Sequence, residues 1–216
     1  MVVWNDIDTV LLDMDGTLLD LHFDNYFWRE YLPFKWGEMH ACGPEQAKQH
    51  LMPRFERNIG TLSWYCVDYW STELQIDVMA LKNDIVHLIQ KRPYTEEFLD
   101  FLRRTGKQVI MVTNCHEKLI ALKMQKTRID GYFDEIYCAH TLGAPKEVNE
   151  FWIRLNRQLD FQPKKTVLID DNLTVLRTAR AFGIRHLLSI ARPDSRSGVR
   201  DTGEFTAIES FRHLIR

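Results

Sequence analysis

Two aspartates directly after a short apolar run constrain this chain more than any other feature of its sequence. Residues 9–12, with the sequence TVLL, are typical of a short inner strand, and Asp13 and Asp15 follow it before a turn at Gly16. In open α/β sheets, ligands bind beyond the carboxyl ends of the strands. Two acids buried together repel each other and lose their hydration, and a divalent cation relieves both penalties. We therefore predict a hard, oxygen-liganded cation such as Mg²⁺ at this strand end.

Composition and length narrow the class of protein. The chain has 216 residues, 45% of them hydrophobic, which suits one packed core with an inserted subdomain. A formal net charge of -2 gives no basic field for nucleic acid or for an anionic membrane. We find no apolar run of membrane-spanning length and no signal peptide pattern in residues 1–6. The four cysteines are widely spaced, which favours reduced thiols and a cytoplasmic location.

Strand and helix patterns alternate along most of the chain, which predicts an α/β fold with a mainly parallel sheet. The segment from residue 25 to about residue 90 differs, because it is helical in character and contains no strand candidate. Such a segment is too long for a connecting loop, so we predict a helical insertion. Residues 61–74 are expected to form one helix, and the tail is expected to form a short helix near residues 207–214.

The helical insertion is rich in aromatic side chains, and two interpretations of them stay open. The rings could fill the core of a small subdomain, which needs bulky residues. One or two of them could instead stack on a planar substrate group such as a nucleobase. The rings are Tyr26, Phe27, Trp28, Tyr31, Phe34, Trp36, Trp64, Tyr65, Tyr69 and Trp70.

Polar side chains follow three of the predicted strands, and a loop lysine lies between the last two. Because the carboxyl ends of parallel strands share one edge of a sheet, these groups can converge. The residues are Asp13, Asp15, Thr113, Asn114, Lys146, Asp170 and Asp171. Together they offer a carboxylate nucleophile, a second carboxylate, a hydroxyl, a cation and a metal site, which indicates phosphoryl transfer through an aspartyl-phosphate. The alternative roles are ordinary ones: Asn114 and the Asp170–Asp171 pair could each cap the helix that follows.

The segment DMDGTL at residues 13–18 resembles the D-x-D-G-T-hydrophobic motif of the haloacid dehalogenase (HAD) superfamily. Thr113, Lys146 and the Asp170–Asp171 pair match the other three motifs of that superfamily, in order. The resemblance implies a Rossmann-like core, and the insertion after the first motif resembles the helical C1 cap class. It thus implies a core of residues 1–20 and 91–216 with a cap of residues 21–90.

The resemblance also implies roles for the acidic residues. Asp13 would be the nucleophile and a Mg²⁺ ligand. Asp15 would be the general acid and base, with its backbone carbonyl on the metal and with Thr17 orienting it. Asp170 would be the main acidic metal ligand, and Asp171 would bind the metal either directly or through water.

The phosphate contacts implied by the resemblance come from the other two motifs. Thr113, with Asn114 beside it, and Lys146 would contact the phosphate, and Lys146 would also steady the nucleophile. Gly16 would let the backbone pass close to the phosphate.

The presence of Asp15 favours phosphate ester chemistry, because an ester oxygen needs a proton on leaving whereas a halide does not. Segments 21–28 and 64–71 resemble cap segments of bacterial purine 5′-nucleotidases that hydrolyse GMP and IMP. The resemblance therefore implies a Mg²⁺-dependent phosphomonoesterase acting on a nucleoside monophosphate. A sugar-phosphate phosphatase and a β-phosphoglucomutase-like phosphomutase stay open as alternatives, a non-catalytic binding domain competes with them, and the protein could be a monomer or a homodimer.

Other residues with metal-binding side chains carry no expected role. His22, His116 and His140 lack the spacing of a zinc motif, so we expect them to be surface or hydrogen-bonded residues. His40 and Cys42 lie two residues apart, but no second ligand pair accompanies them.

Overall fold

A single parallel sheet forms the centre of the molecule in the computed structural model, which describes residues 3–215. Its strands are β1 (Thr9–Leu12), β2 (Gln108–Thr113), β3 (Glu135–Cys138), β4 (Thr166–Asp170), β5 (His186–Ile190) and β6 (Thr206–Ile208). They lie in the order β3-β2-β1-β4-β5-β6, and every neighbouring pair is parallel. This order confirms the predicted α/β, Rossmann-like fold. It reverses direction beside β1, where such sheets bind ligands.

The central strands are buried on both faces of the sheet, which explains their continuous apolar sequences. Successive side chains of a strand point to opposite faces. Val10 and Leu12 accordingly belong to one hydrophobic cluster, whereas Leu11 belongs to a second cluster on the other face.

Helices account for the regular structure between β1 and residue 85. They are α1 (His22–Tyr26), α2 (Leu32–Met39), α3 (Pro44–Asn58), α4 (Leu62–Tyr65), α5 (Val67–Leu74) and α6 (Val78–Asp84). We keep the name cap for residues 21–90. Its two connections to the core pair with each other, since the Asp20 amide donates to the Gln90 carbonyl at 2.9 Å and the Arg92 amide to the Leu18 carbonyl at 2.9 Å. The boundaries of the cap and the core stay a prediction, and residues 1, 2 and 216 lie outside the described part of the chain.

The first cap helix contains a π-helical turn over Phe27–Tyr31, continuous with α1 and α2. The Leu32 amide donates to the Phe27 carbonyl, five residues back, within this turn. Pro33 follows it and has no amide hydrogen to continue an α-helical pattern. Such turns are frequent at functional sites, and this one carries Trp28.

The cap packs on one face of the sheet through a shared hydrophobic core. Phe27, Leu51 and Trp70 of the cap are fully buried in the same cluster as Val10 and Leu12 of β1. The buried residues of the cap therefore belong to the same core as the sheet, and Phe27, Trp36 and Trp70 serve the packing role that the sequence left open.

The core helices cover the sheet and connect its strands. They are α7 (Thr95–Arg104), α8 (Glu117–Thr127), α9 (Ala139–Leu142), α10 (Asn149–Leu159) and α11 (Leu173–Phe182). Among the described residues, no helix combines the length and apolarity that crossing a membrane would require.

Two local predictions were wrong. The helix expected near residues 207–214 is instead the edge strand β6 followed by a 3-10 helix, Phe211–Leu214. β6 has only three residues, two of them exposed, so it lacks the alternating pattern of a longer strand. The helix expected over residues 61–74 is divided at Cys66, which ends α4 and caps α5.

Candidate active site

The predicted site residues meet at the carboxyl end of the sheet. β1 lies between β2 and β4, with Leu12 in register with Met111 and Ile169, so the residues after these strands lie side by side. They line a cavity of 380 Å³ between the sheet and the cap. The lining includes Asp13, Asp15, Thr113, Asn114, Lys146, Asp170 and Asp171.

Lys146 is a buried cation between two of the aspartates. Its Nζ donates to Asp13 Oδ1 at 2.6 Å and to Asp170 Oδ2 at 2.7 Å, and its side chain is 3% exposed. Burial alone would lower the pKa of Lys146, but the two carboxylates outweigh it and raise that pKa above its ordinary value. The lysine therefore stays charged and fixes the position of Asp13.

The negative charge of the three aspartates here exceeds what one lysine can neutralise. Burial raises the pKa of Asp13 to about 6, although Lys146 opposes this, and burial also raises the pKa of Asp170. The pKa of Asp171 lies well above its ordinary value because of burial and the charges of the other two aspartates. One carboxylate oxygen from each of the three lies within 4.8 Å of the others, and Asp13 Oδ2 is buried without a hydrogen-bond partner among the described residues. Oxygen ligands so placed fit a divalent cation.

Two features require a glycine at position 16: its backbone conformation and the nearby Asp171 side chain. Its φ is +85°, and a Cβ there would lie 2.7 Å from the Asp171 carboxyl carbon. A side chain at this position would therefore collide with Asp171, and the expected approach of the backbone to a phosphate stays a prediction. On its other side Asp171 faces Arg200, whose Nη2 lies 3.4 Å from Asp171 Oδ2.

Asn114 and Glu147 connect the core to the cap at the cavity. Asn114 Oδ1 accepts a hydrogen bond from the Lys146 amide at 2.8 Å, and Asn114 Nδ2 donates to Glu147 Oε2 at 2.9 Å. Tyr65 of the cap donates its hydroxyl to Glu147 Oε1 at 2.5 Å. Asn114 therefore positions the loop that carries Lys146.

The alternative capping roles of the site residues do not occur. The helix after β2 is capped by His116, whose Nδ1 accepts from the Lys118 amide at 3.3 Å. The helix after β4 is capped by Asn172, whose Oδ1 accepts from the Thr174 amide at 2.9 Å. Asn114 and the two aspartates after β4 are thus left to face the cavity.

A second buried lysine, which the sequence analysis missed, holds Asp15. Lys123 Nζ donates to Asp15 Oδ1 and to Asp24 Oδ2, each at 2.6 Å, and its side chain is 1% exposed. Lys82 of the cap donates to Asp24 Oδ1 at 2.9 Å. The expected orientation of Asp15 by Thr17 has no hydrogen bond to support it among residues 3–215, where the buried Thr17 hydroxyl is without a partner.

The charges of this second cluster follow from its burial. Burial raises the pKa of Asp15 to about 6, against the opposing effect of Lys123. Burial would also raise the pKa of Asp24, but Lys123 and Lys82 outweigh it and lower that pKa. Asp24 is therefore the ionised member, and Asp15 is the carboxyl that gains or loses a proton more readily near neutral pH.

The spacing of apolar residues along α8 indicates that Lys123 lies on the buried face of this helix. The residue shares the buried face of the helix with Leu119, Ile120, Met124 and Thr127. A lysine on an apolar face is buried only if it finds a partner, and its partners here come from two distant segments.

Cap aromatics form part of the cavity wall. Trp28, Trp64 and Tyr65 line it, and the Trp28 and Trp64 rings stack with centroids 5.3 Å apart and planes 29° apart. Tyr69 packs edge-on against Trp70 and is absent from the cavity lining. The rings therefore divide between packing and the cavity wall.

Comparisons with known proteins show the family to which this chain belongs. A family model described as haloacid dehalogenase-like hydrolase matches residues 7–183. The chain is 37% identical over 214 residues to the GMP/IMP nucleotidase YrfG of Escherichia coli (strain K12), covering 99% of this chain and 96% of that protein.

Solved structures share the fold. A HAD phosphatase from Thermococcus onnurineus aligns with a TM-score of 0.79 at 20% identity, covering 96% of each chain. The HAD-hydrolase YfnB from Bacillus subtilis, solved with bound magnesium, aligns with a TM-score of 0.65 at 18% identity, again over 96% of each chain.

Proposed function

This chain belongs to the haloacid dehalogenase-like hydrolase family, and from that membership we propose that it is a magnesium-dependent 5′-nucleotidase acting on purine nucleoside monophosphates. The observation that carries the proposal is one cavity lined by Asp13, Asp15 and Lys146 on the core side and by Trp28 and Trp64 on the cap side. The first set suits a phosphate and the second suits a planar base. The identity to a GMP/IMP nucleotidase over nearly the whole chain supports the substrate class.

The metal site of this proposal consists of Asp13, Asp170, Asp171 and the Asp15 backbone carbonyl. The three carboxylates fit a hard cation because their oxygens lie within 4.8 Å of one another and one of them is buried without a hydrogen bond. A bound Mg²⁺ offsets the repulsion between Asp13 and an anionic phosphate and stabilises the charge of the transition state.

The reaction proceeds in two steps at Asp13. The Asp13 carboxylate attacks phosphorus, the ester P–O bond breaks, and the departing nucleoside oxygen takes a proton from Asp15. Asp15 then accepts a proton from water as that water attacks the aspartyl-phosphate, which releases inorganic phosphate and restores the Asp13 carboxylate. Thr113, Asn114 and Lys146 position the phosphate, and Lys146 keeps Asp13 oriented throughout.

Lys123 acts as a positioning residue for Asp15. Its 2.6 Å hydrogen bond holds Asp15 Oδ1, so the other carboxyl oxygen is the one available to the leaving group or to water. The raised pKa of Asp15, about 6, suits a group that must both donate and accept a proton near neutral pH. The same lysine binds Asp24 of the cap, so the position of Asp15 depends on the position of the cap.

A panel of phosphate esters assayed with Mg²⁺ tests the substrate class. We expect kcat/KM to be highest for GMP and IMP, lower for pyrimidine nucleotides, and lowest for sugar phosphates. Each reaction should release free inorganic phosphate. Higher kcat/KM for a hexose phosphate, or an isomerised sugar phosphate as product, would contradict the proposal.

Chelation and an isosteric variant test the mechanism. EDTA should stop hydrolysis and added Mg²⁺ should restore it, because the carboxylates need a cation to receive a phosphate. Asp13→Asn keeps the shape of the nucleophile without its charge, so it should abolish turnover while circular dichroism shows a folded protein. Normal turnover in either experiment would refute the assigned chemistry.

A pair of cap variants tests base recognition. Trp28→Ala should lower kcat/KM for GMP more than for p-nitrophenyl phosphate, whose ring is not a nucleobase. Tyr69→Ala is the matched control, because Tyr69 is a cap aromatic outside the cavity lining. Equal losses for the two substrates in Trp28→Ala would remove the case for contact between this ring and the base.

A further inference from the structure

Three metal-binding side chains meet outside the lining of the active-site cavity, where no role was expected of them. Cys66, His116 and His140 each offer one ligand atom, and these atoms lie within 4.8 Å of one another. The two imidazole rings are edge to face, with centroids 4.8 Å apart. None of the three lines the active-site cavity.

His140 is the member that its surroundings leave unsatisfied. Both of its ring nitrogens are buried, and neither makes a hydrogen bond of good geometry to the described residues, although the Leu62 backbone lies close to the ring. A buried polar group without a well-formed partner costs free energy, so a ligand that binds this ring would be favourable. Burial and the neighbouring His116 lower the pKa of His140, and nearby groups that include the Leu62 backbone only partly oppose this. The ring is therefore neutral near pH 7, the form that binds a metal.

The donor set selects a class of cation different from that of the active site. One thiol and two imidazoles suit a borderline cation such as Zn²⁺ or Co²⁺, whereas Mg²⁺ prefers oxygen. A tetrahedral site with Zn–N of about 2.0 Å and Zn–S of about 2.3 Å places its ligand atoms roughly 3.3 to 3.7 Å apart. Small side-chain rotations would bring ligand atoms that already lie within 4.8 Å of one another to that spacing. Asp68, whose two oxygens both accept from Lys118, lies outside this group, so water would complete the coordination.

We propose that Cys66, His116 and His140 form a binding site for a zinc-like transition metal ion that fastens the cap to the core. Cys66 lies in the cap between α4 and α5, whereas in the core His116 caps α8 and His140 lies in α9. Binding converts the Cys66 thiol to a thiolate and releases its proton to solvent. Because Tyr65 precedes Cys66, the bound ion also fixes one wall of the active-site cavity.

Cobalt absorption tests this site without reference to enzyme activity. The full chain is titrated with Co²⁺ in the presence of excess Mg²⁺, which occupies the carboxylate site. We expect one equivalent of Co²⁺ to produce thiolate-to-cobalt charge transfer in the near ultraviolet, and the ligand-field bands of a tetrahedral ion in the visible. Zn²⁺ should abolish both and should raise the Tm of the protein.

Three variants assign the ligands. Cys66→Ser should lose the charge-transfer band and stay folded, because serine can replace the thiol as the acceptor of the Tyr69 amide that caps α5. His140→Ala should also lose the band. Cys42→Ser, which alters a free thiol elsewhere in the cap, should keep it. A wild-type titration without the band, a band that survives in Cys66→Ser, or a band lost in Cys42→Ser would overturn the proposal.

Discussion

Lys146 and Lys123 each bind two aspartates, but the parts of the protein that hold those aspartates differ. Each is almost fully buried, and each donates to two aspartates at 2.6–2.7 Å. Lys146 joins Asp13 to Asp170, so both of its partners are held by neighbouring strands of one sheet. Lys123 joins Asp15 to an aspartate of the cap, so its two partners belong to parts of the chain that meet only through packing.

Because of this difference, we expect the two buried lysines to have different functions. Around Lys146 the surrounding sheet keeps the geometry constant, which suits a group that must hold the nucleophile and a phosphate through both steps. Around Lys123 the geometry depends on the cap as well as on the core. If the cap moves, the hydrogen bond from Lys123 to Asp24 changes with it, and so does the position of Asp15. We expect mutations at the two lysines to differ accordingly.

The largest effect is expected for Lys146→Met, which keeps the apolar stem and removes the charge. Two buried carboxylates then lose their shared cation, and kcat should fall by roughly a hundredfold to a thousandfold or more for every substrate. Steady-state kinetics with GMP and p-nitrophenyl phosphate measure this. Lys164→Met, an exposed lysine, is the control and should change little. A loss confined to one substrate would show that Lys146 serves the leaving group and not the phosphate.

A smaller and more selective effect is expected for Lys123→Met. Asp15 loses its anchor, so kcat for a nucleotide should fall by about tenfold to a hundredfold. The loss should be smaller for p-nitrophenyl phosphate, because its leaving group needs little protonation. Lys126→Met, on the exposed face of the same helix, is the matched control. Equal losses for both substrates would remove the distinction drawn between the two lysines.

Asp24→Asn tests whether the cap takes part in holding the acid. The variant keeps a hydrogen-bonding side chain but leaves two buried lysines without their common carboxylate, which should cost about 3 kcal/mol of unfolding free energy. Its kinetic effect should have the same leaving-group dependence as Lys123→Met but a smaller size, because Lys123 keeps Asp15. Urea unfolding and the two-substrate assay measure these effects. Kinetics identical to those of the wild type would show that the cap aspartate is structural only.

The smallest catalytic effect is expected for Lys82→Met. Lys82 donates to Asp24 but not to Asp15, and Asp24 keeps Lys123 when Lys82 is removed. The variant should lose about 1–3 kcal/mol of stability from an incompletely paired buried carboxylate, with kcat nearly unchanged. A large drop in kcat, with the protein folded, would show that Lys82 also helps to position Asp15.

Local sequence was sufficient for the strand-end site. Asp13, Thr113 and Asp170 end or directly follow apolar runs, and parallel strands bring such ends together whatever the details of packing. Lys146 was found by the order of the motifs, since a single lysine in a loop has no pattern of its own. The short edge strand β6 escaped prediction because three residues carry too little periodicity to separate strand from helix.

The sequence by itself thus predicted the central strands and the acidic residues at their ends, because strand and turn patterns depend on neighbours within a few residues. The tertiary structure alone decided which polar side chains outside those ends are buried together. Lys123 is 108 residues from Asp15 and 99 from Asp24, and Cys66 meets two histidines of the core. The spacing of α8 places Lys123 on an apolar face, but a lysine on such a face can either extend to water or bind a buried partner. Only the packing of the cap on the core distinguishes the two cases, since the partner that makes burial favourable comes from another segment.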